Sequence, residues 1–161
     1  VTVSADTDPL ALERQVCFAL AVTNRAVLAV YRPLLEPLGL THPQYLVMLT
    51  LWDHRNQPAA PRKALSVKAI AHTLQLDPAT LSPMLKRLEA LGLIVRARNA
   101  ADERSTDVQL TEKGAALRQR ALDIPAAVVA RLGVDLAELE HLHHILTRIN
   151  TAAVAAGALR A

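Results

Sequence analysis

The chain has 161 residues, enough to bury a sizeable core within one domain. Apolar residues make up 52% of it but aromatics only 2%, so the core must be built from Leu, Ala, Val and Ile on helices, which favours a mostly-α fold over one packed through rings. A net charge of +3 is too small to name a partner by itself, and one cysteine excludes an internal disulfide, in keeping with a reducing cytoplasm.

Residues 1 to 9 are expected to be disordered or only loosely docked. The opening VTVSADTDPL lacks the basic and apolar regions of a signal peptide, and the most apolar stretch, VCFALAVTNRAVLAVY, is interrupted by Asn24 and Arg25. Neither secretion nor a membrane span is expected. A first helix is predicted from Leu10 to Leu35, broken by Pro33 and closed by PLGL. Thr41-His42-Pro43-Gln44 reads as a capping box with proline in the first turn, opening a second helix that turns Leu46, Leu49 and Trp52 inward and ends near His54. RNQPAAPRKA has no periodicity and reads as a loop.

Residues 66 to 114 carry the most information. A short helix over Val67 to Leu74 presents Ile70, Ala71 and Leu74 to the core. Asp77 can cap the next helix, Pro78 suits its first position, and Leu81, Leu85, Leu88 and Leu91 form one apolar stripe. The opposite face keeps Thr80, Ser82, Pro83, Lys86 and Arg87, types suited to base edges and phosphates. Pro83 removes a bond to the carbonyl of Ala79, so this helix either bends or uses the ring against a thymine methyl. Gly92 supplies a left-handed cap, LIVRAR alternates as a strand, NAADERST is a polar tip and DVQL returns. That order is a winged helix-turn-helix, a module that reads double-stranded DNA.

Charge distribution agrees. Between residues 62 and 104 eight basic side chains (Arg62, Lys63, Lys68, Lys86, Arg87, Arg96, Arg98, Arg104) face four acidic ones (Asp77, Glu89, Asp102, Glu103), a local charge of +4 against −1 for the remainder. A polyphosphate partner requires such localisation. Arg96 and Arg98 share a strand face and are expected on phosphates. Arg104 is expected in a narrow A·T minor groove, its guanidinium oriented by Asp102.

Thr111 caps a further helix that Pro125 bends or restarts. In the last helix Leu139, Leu142, Leu146, Ile149 and Ala153 recur at alternating spacings of three and four, a seam wider than one helix needs. With the apolar first helix it predicts a homodimer: residues 10–40 and 112–158 supply dimerisation helices, residues 62–111 the DNA-binding lobe, and 1–161 form one domain.

The sequence resembles the MarR family of transcription regulators, through DER at the wing tip followed by LTEKG. Within that family QVCFAL, YRPLLEPLGL, HPQYL, LW, LSPMLKRLE, GLI and ALDIP are similar to the OhrR branch, which senses organic hydroperoxides, over about residues 12 to 125. The resemblance implies a dimeric repressor of the one-cysteine type, without a cofactor, that leaves its operator when a hydroperoxide oxidises the cysteine. By that analogy Cys17 is the peroxidatic residue and Tyr31 a phenol that supports it. Relatives often carry tyrosines where this chain has Ala21 and His42, so hydrogen bonding around the sulfur is expected to be thinner or differently supplied, with His42 a candidate sensor support.

Reactivity needs a thiolate, favoured by a donor, a cation or a helix N-terminus. Cys17 is expected about two turns into the first helix, beyond strong influence of its dipole. Cys17 and Tyr31 are fourteen residues apart, about 21 Å along a straight helix and close to four whole turns. They share a face without touching, and an antiparallel partner helix can bring Tyr31 of one chain over Cys17 of the other. The sulfenic acid forms first. With no second cysteine, a mixed disulfide with a low-molecular-weight thiol, a sulfenamide or an overoxidised sulfur must follow.

Three rival functions remain open in the sequence. A thiol peroxidase would use the same sulfur but leaves the basic wing unexplained. A metal-responsive regulator would use His141, His143 and His144 beside Glu138 and Glu140, although histidines three apart on a helix are mostly a solvated face. A regulator of the same fold that binds a small phenolic ligand would leave Cys17 incidental.

Overall fold

The computed structural model describes residues 10–58, 64–102 and 104–159. The expected loose terminus, residues 59–63 of the proline-rich loop with Arg62 and Lys63, and Glu103 lie outside the described residues.

A single 3₁₀ turn, Leu12–Arg14, precedes α1 (Val16–Leu35), so the first helix starts later than the periodicity suggests. Pro33 does not break it: only one turn follows, and the carbonyl that loses its partner is that of Ala29. A 3₁₀ turn at Glu36–Leu38 and Gly39, at φ 71°, reverse the chain. The capping box forms as expected, with Thr41 N donating to Gln44 Oε1 at 3.0 Å, and opens α2 (His42–Asn56). This helix buries Tyr45, Val47, Met48, Leu51 and Trp52, whereas Leu49, expected inward, is 39% exposed and Leu46 half-buried.

Strand β1 (Leu65–Ser66) leads into α3 (Val67–Thr73), capped by Ser66 Oγ accepting from Ala69 N at 3.0 Å. The turn to α4 (Pro78–Ala90) passes through Gln75 at φ 53°. Leu81, Leu85 and Leu88 are fully buried, each contributing roughly 1.5–3 kcal/mol, and Leu91 is half-buried. Pro83 leaves α4 continuous. Gly92, at φ 70°, ends it as expected, with its N–H on the Glu89 carbonyl at 2.9 Å.

Strands β2 (Ile94–Arg98) and β3 (Thr106–Leu110) form the wing hairpin, pairing Arg98 with Thr106 and Ile94 with Leu110. The sheet has three antiparallel strands in the order β1-β3-β2, one more than the sequence suggests. After it come α5 (Glu112–Ala121), α6 (Ile124–Leu132) and α7 (Leu136–Ala155). Pro125 sits at the start of α6, so it restarts the helix.

One core joins α2, α3, α4, the sheet, α5 and α6. The two ends of the chain behave differently. Helix α7 has no buried residue over its twenty, and α1 buries only Leu35. Leu142, Ile145 and Ile149 on α7 and Val16, Phe18, Leu20 and Val22 on α1 are exposed. By length and composition alone the segment Val16–Leu38, with a mean hydropathy of 1.2, is apolar enough to cross a membrane, a test that helices packed between protein surfaces also pass. Asn24, Arg25, Arg32 and Glu36 lie on it.

Candidate nucleic-acid interface and redox site

The apolar stripe of α4 fixes which of its residues can be read from outside. With Leu81, Leu85 and Leu88 inward, Thr80, Pro83, Lys86 and Arg87 stand exposed on the other face, while Ser82 is half-buried. Exposed Lys68, Arg98 and Arg104 extend the basic surface onto α3 and the wing.

Two bonds tie the end of α4 to the start of α5, and a third caps α5 itself. Thr111 Oγ1 donates to the Gly92 carbonyl at 2.7 Å and accepts from Gly114 N at 3.0 Å, while Lys113 Nζ donates to the Leu91 carbonyl at 2.7 Å. Trp52 of α2 donates its indole N–H to the Gly114 carbonyl at 2.9 Å inside the core. The LTEKG stretch is therefore a clasp on the end of α4.

Arg96 does not face outward as expected. Its Nε and Nη2 both donate to Glu89 Oε2, at 3.0 and 2.6 Å, linking β2 to the last turn of α4. Those hydrogen bonds hold the Glu89 carboxyl below its usual range. Glu89 therefore helps stability above its ordinary pKa and loses that contribution as pH falls through the lowered value. Arg96 acts as a strut, and Arg98 is the exposed arginine of that strand. Glu89→Gln is expected to weaken operator binding, because the wing loses its fixed angle to α4. Unchanged affinity in a titration would make the pair an ordinary surface contact.

At the tip, Asp102 also departs from expectation. Its Oδ1 accepts from the main-chain N–H of Arg104 at 3.0 Å, so it shapes the backbone and not the guanidinium. Arg104 itself is exposed.

Cys17 is the second residue of α1 and exposed on the protomer. It lies in the first turn, not two turns in, because the 3₁₀ turn takes up the preceding residues. The first turn of a helix is where backbone N–H groups have no carbonyl partner within the helix. Tyr31 is on the same helix, as expected. Its ring packs against His42 at 4.8 Å between centroids and Tyr45 at 6.0 Å, and Tyr45 continues to Trp52 at 6.3 Å. Burial raises the Tyr31 and Tyr45 phenols and lowers His42, so at neutral pH the cluster holds two phenol donors and a neutral imidazole. The sequence names Tyr31 and His42 as support for the sensor, without placing them against each other, and does not name Tyr45.

His141, His143 and His144 are exposed on α7, and among the described residues no three His, Cys, Asp or Glu come together as metal ligands. A cavity of about 150 Å³ between α2, β3 and α5, lined by Leu51, His54, Arg55, Val108, Gln109, Leu110 and Glu112, falls short of the roughly 300–1,000 Å³ usual for ligand sites.

Comparison with known proteins gives concordant results. The family described as "Transcriptional regulator SarA/Rot" matches residues 29–120. The organic hydroperoxide resistance transcriptional regulator of Bacillus subtilis strain 168 is 43% identical over 136 residues, 83% of this chain and 87% of that one. Reduced AbfR bound to DNA superposes with a TM-score of 0.69 at 28% identity, covering 89% and 94% of the two chains. Overoxidised AbfR bound to DNA gives 0.68 at the same identity, covering 88% and 93%; the protein is from Staphylococcus epidermidis. A MarR-family regulator from Rhodococcus sp. RHA1 shares the fold, with a TM-score of 0.74 at 24% identity over 87% and 95%. The Bacillus subtilis and Rhodococcus proteins are described as transcriptional regulators, and AbfR is seen bound to DNA.

Proposed function

The chain belongs to the MarR family of transcription regulators, in the branch of organic hydroperoxide regulators, and from that membership we propose that it is a homodimeric repressor released from its operator when an organic hydroperoxide oxidises Cys17. The observation that carries this reading is the position of the only cysteine, in the first turn of α1 and on a helix whose apolar face the protomer leaves uncovered.

A partner's α1 and α7 supply the missing cover, since twenty residues of α7 without one buried side chain make no stable element alone. An antiparallel arrangement then sets Tyr31 of one chain, with His42 behind it, over Cys17 of the other. The Cys17 thiolate attacks the distal oxygen of the hydroperoxide, the O–O bond breaks, an alkoxide leaves and takes a proton to give the alcohol, and sulfur is left as the sulfenic acid. A low-molecular-weight thiol condenses with it, losing water and giving a mixed disulfide. Either product changes the helix contact that sets the spacing of the two DNA-reading lobes, residues 62–111 of each protomer. A DNA partner and a reducing thiol pool put this work in the cytoplasm.

On DNA, Thr80, Ser82, Pro83, Lys86 and Arg87 enter the major groove, Arg98 contacts phosphate and Arg104 the adjacent minor groove, with two half-sites about 34–36 Å apart. The test is an operator titration in rising salt, with and without an organic hydroperoxide. Affinity is expected to fall steeply with salt and collapse on oxidation; a flat salt response and no effect of peroxide would remove the reading. Arg104→Ala should lose about 1–3 kcal/mol, chiefly on A·T flanks, whereas Lys86→Ala should weaken all sequences alike. If both variants titrate like wild type, the reading surface lies elsewhere.

A further inference from the structure

We infer that Asn99 is the positioning residue of the wing: through Asp107 and Asp102 it fixes the backbone from which Arg104 reaches DNA. The inference rests on the DNA reading above and adds to it a residue that need touch no nucleotide.

Asn99 follows β2 by one residue, and its amide is used from both ends. Nδ2 donates to Asp107 Oδ2 on β3 at 2.8 Å, while Oδ1 accepts from the main-chain N–H groups of Ala101 at 2.8 Å and Asp102 at 3.0 Å. The tip backbone closes around it, with Asn99 N on the Ser105 carbonyl and Ser105 N on the Asp102 carbonyl, both at 2.9 Å. Asp102 Oδ1 then accepts from Arg104 N at 3.0 Å. A continuous chain of bonds thus runs from the paired strand, through Asn99 and Asp102, to the residue expected in the minor groove.

The chemistry selects asparagine. A carboxylate acceptor on one side and two N–H donors on the other require a side chain that both donates and accepts at short reach. Serine lacks the span, and aspartate would set two carboxylates against each other. A tip ordered before binding avoids the conformational entropy that a loose tip would lose in the groove.

A double-mutant cycle on an operator with A·T flanks tests this, with thermal melting to verify that each variant is folded. Asn99→Ala is expected to weaken binding about tenfold, within the range of losing the arginine contact itself. In an Arg104→Ala background Asn99→Ala should cost nothing further, because Asn99 acts through Arg104. Additive losses would overturn the inference. The reciprocal pair Asn99→Asp with Asp107→Asn keeps net charge and restores the bond with its polarity reversed. It should bind close to wild type while Asn99→Asp alone binds poorly; a pair no better than the single variant would also overturn it. A full Arg104→Ala effect with Asn99→Ala at wild-type affinity sinks this inference alone, whereas an Arg104→Ala variant that binds like wild type removes the minor-groove reading and this inference with it.

Discussion

The Cys17→Ser protein should hold its operator with wild-type affinity and remain bound at hydroperoxide doses that release the wild type. Serine preserves the volume and a hydrogen-bond donor but has no accessible oxidation state corresponding to the sulfenic acid. Position matters as much as element: Cys17 is the second residue of α1 and is exposed on the protomer. The size of the response identifies what must move. Taking a site from about 99% to about 1% occupied at fixed protein concentration requires an affinity change of about 10⁴-fold, near 5.5 kcal/mol, whereas a single lost base contact supplies only about 1–3 kcal/mol. Oxidation at α1 must therefore disengage several contacts together, as a changed placement of two heads does. Anisotropy of a labelled operator before and after peroxide decides it, and release of Cys17→Ser at the wild-type dose would leave a small-ligand regulator as the better reading. In the same assay Tyr31→Phe should bind normally and respond more slowly, since it loses only the hydroxyl proposed to support the thiolate across the dimer.

The parts of this fold legible in the sequence are those fixed by local rules. The stripe Leu81, Leu85, Leu88 follows the 3.6-residue period because α4 has one wet face, and Thr41 with Gln44 makes a capping box from neighbours alone. Helix α2 is harder because Leu46, Val47, Met48, Leu49 and Leu51 leave no polar side from which to infer orientation, and only tertiary packing turns Leu49 outward. The start of α1 is obscure because no capping residue marks Gln15, and that obscurity conceals the helix end beside Cys17. Arg96 reads as a phosphate contact since strand alternation reports a face, while its partner Glu89 belongs to a helix that only the folded wing brings within 3.0 Å. Asn99, Asp102 and Asp107 are similarly hidden: short polar residues near a turn are common, and their bonding depends on hairpin register.

Gly114→Ala should destabilise the protein, although helix propensity alone predicts the opposite. Alanine in place of glycine within α5 favours the helix by about 1 kcal/mol. At this position, however, an added Cβ would fall on the Leu93 carbonyl oxygen, with its carbon at 2.9 Å and the Leu93 Cα at 3.2 Å. These are backbone atoms leading into β2 and cannot rotate aside. The Leu93 carbonyl is also engaged, accepting from Thr111 N at 3.1 Å. Moving α5 outward would stretch the Trp52 bond to the Gly114 carbonyl, and leaving buried polar groups unpaired costs about 1–3 kcal/mol. Overpacking adds about 1–3 kcal/mol. The steric and hydrogen-bond terms exceed the propensity gain, giving a net loss of roughly 1–5 kcal/mol and a fall in Tm on the order of 10 °C. Because α5 clasps the end of the recognition helix through Thr111 and Lys113, operator affinity should decline even where the variant remains folded. Melting followed by circular dichroism at fixed protein concentration provides the check, and a Gly114→Ala variant as stable as wild type would mean that α5 and β2 can separate without cost.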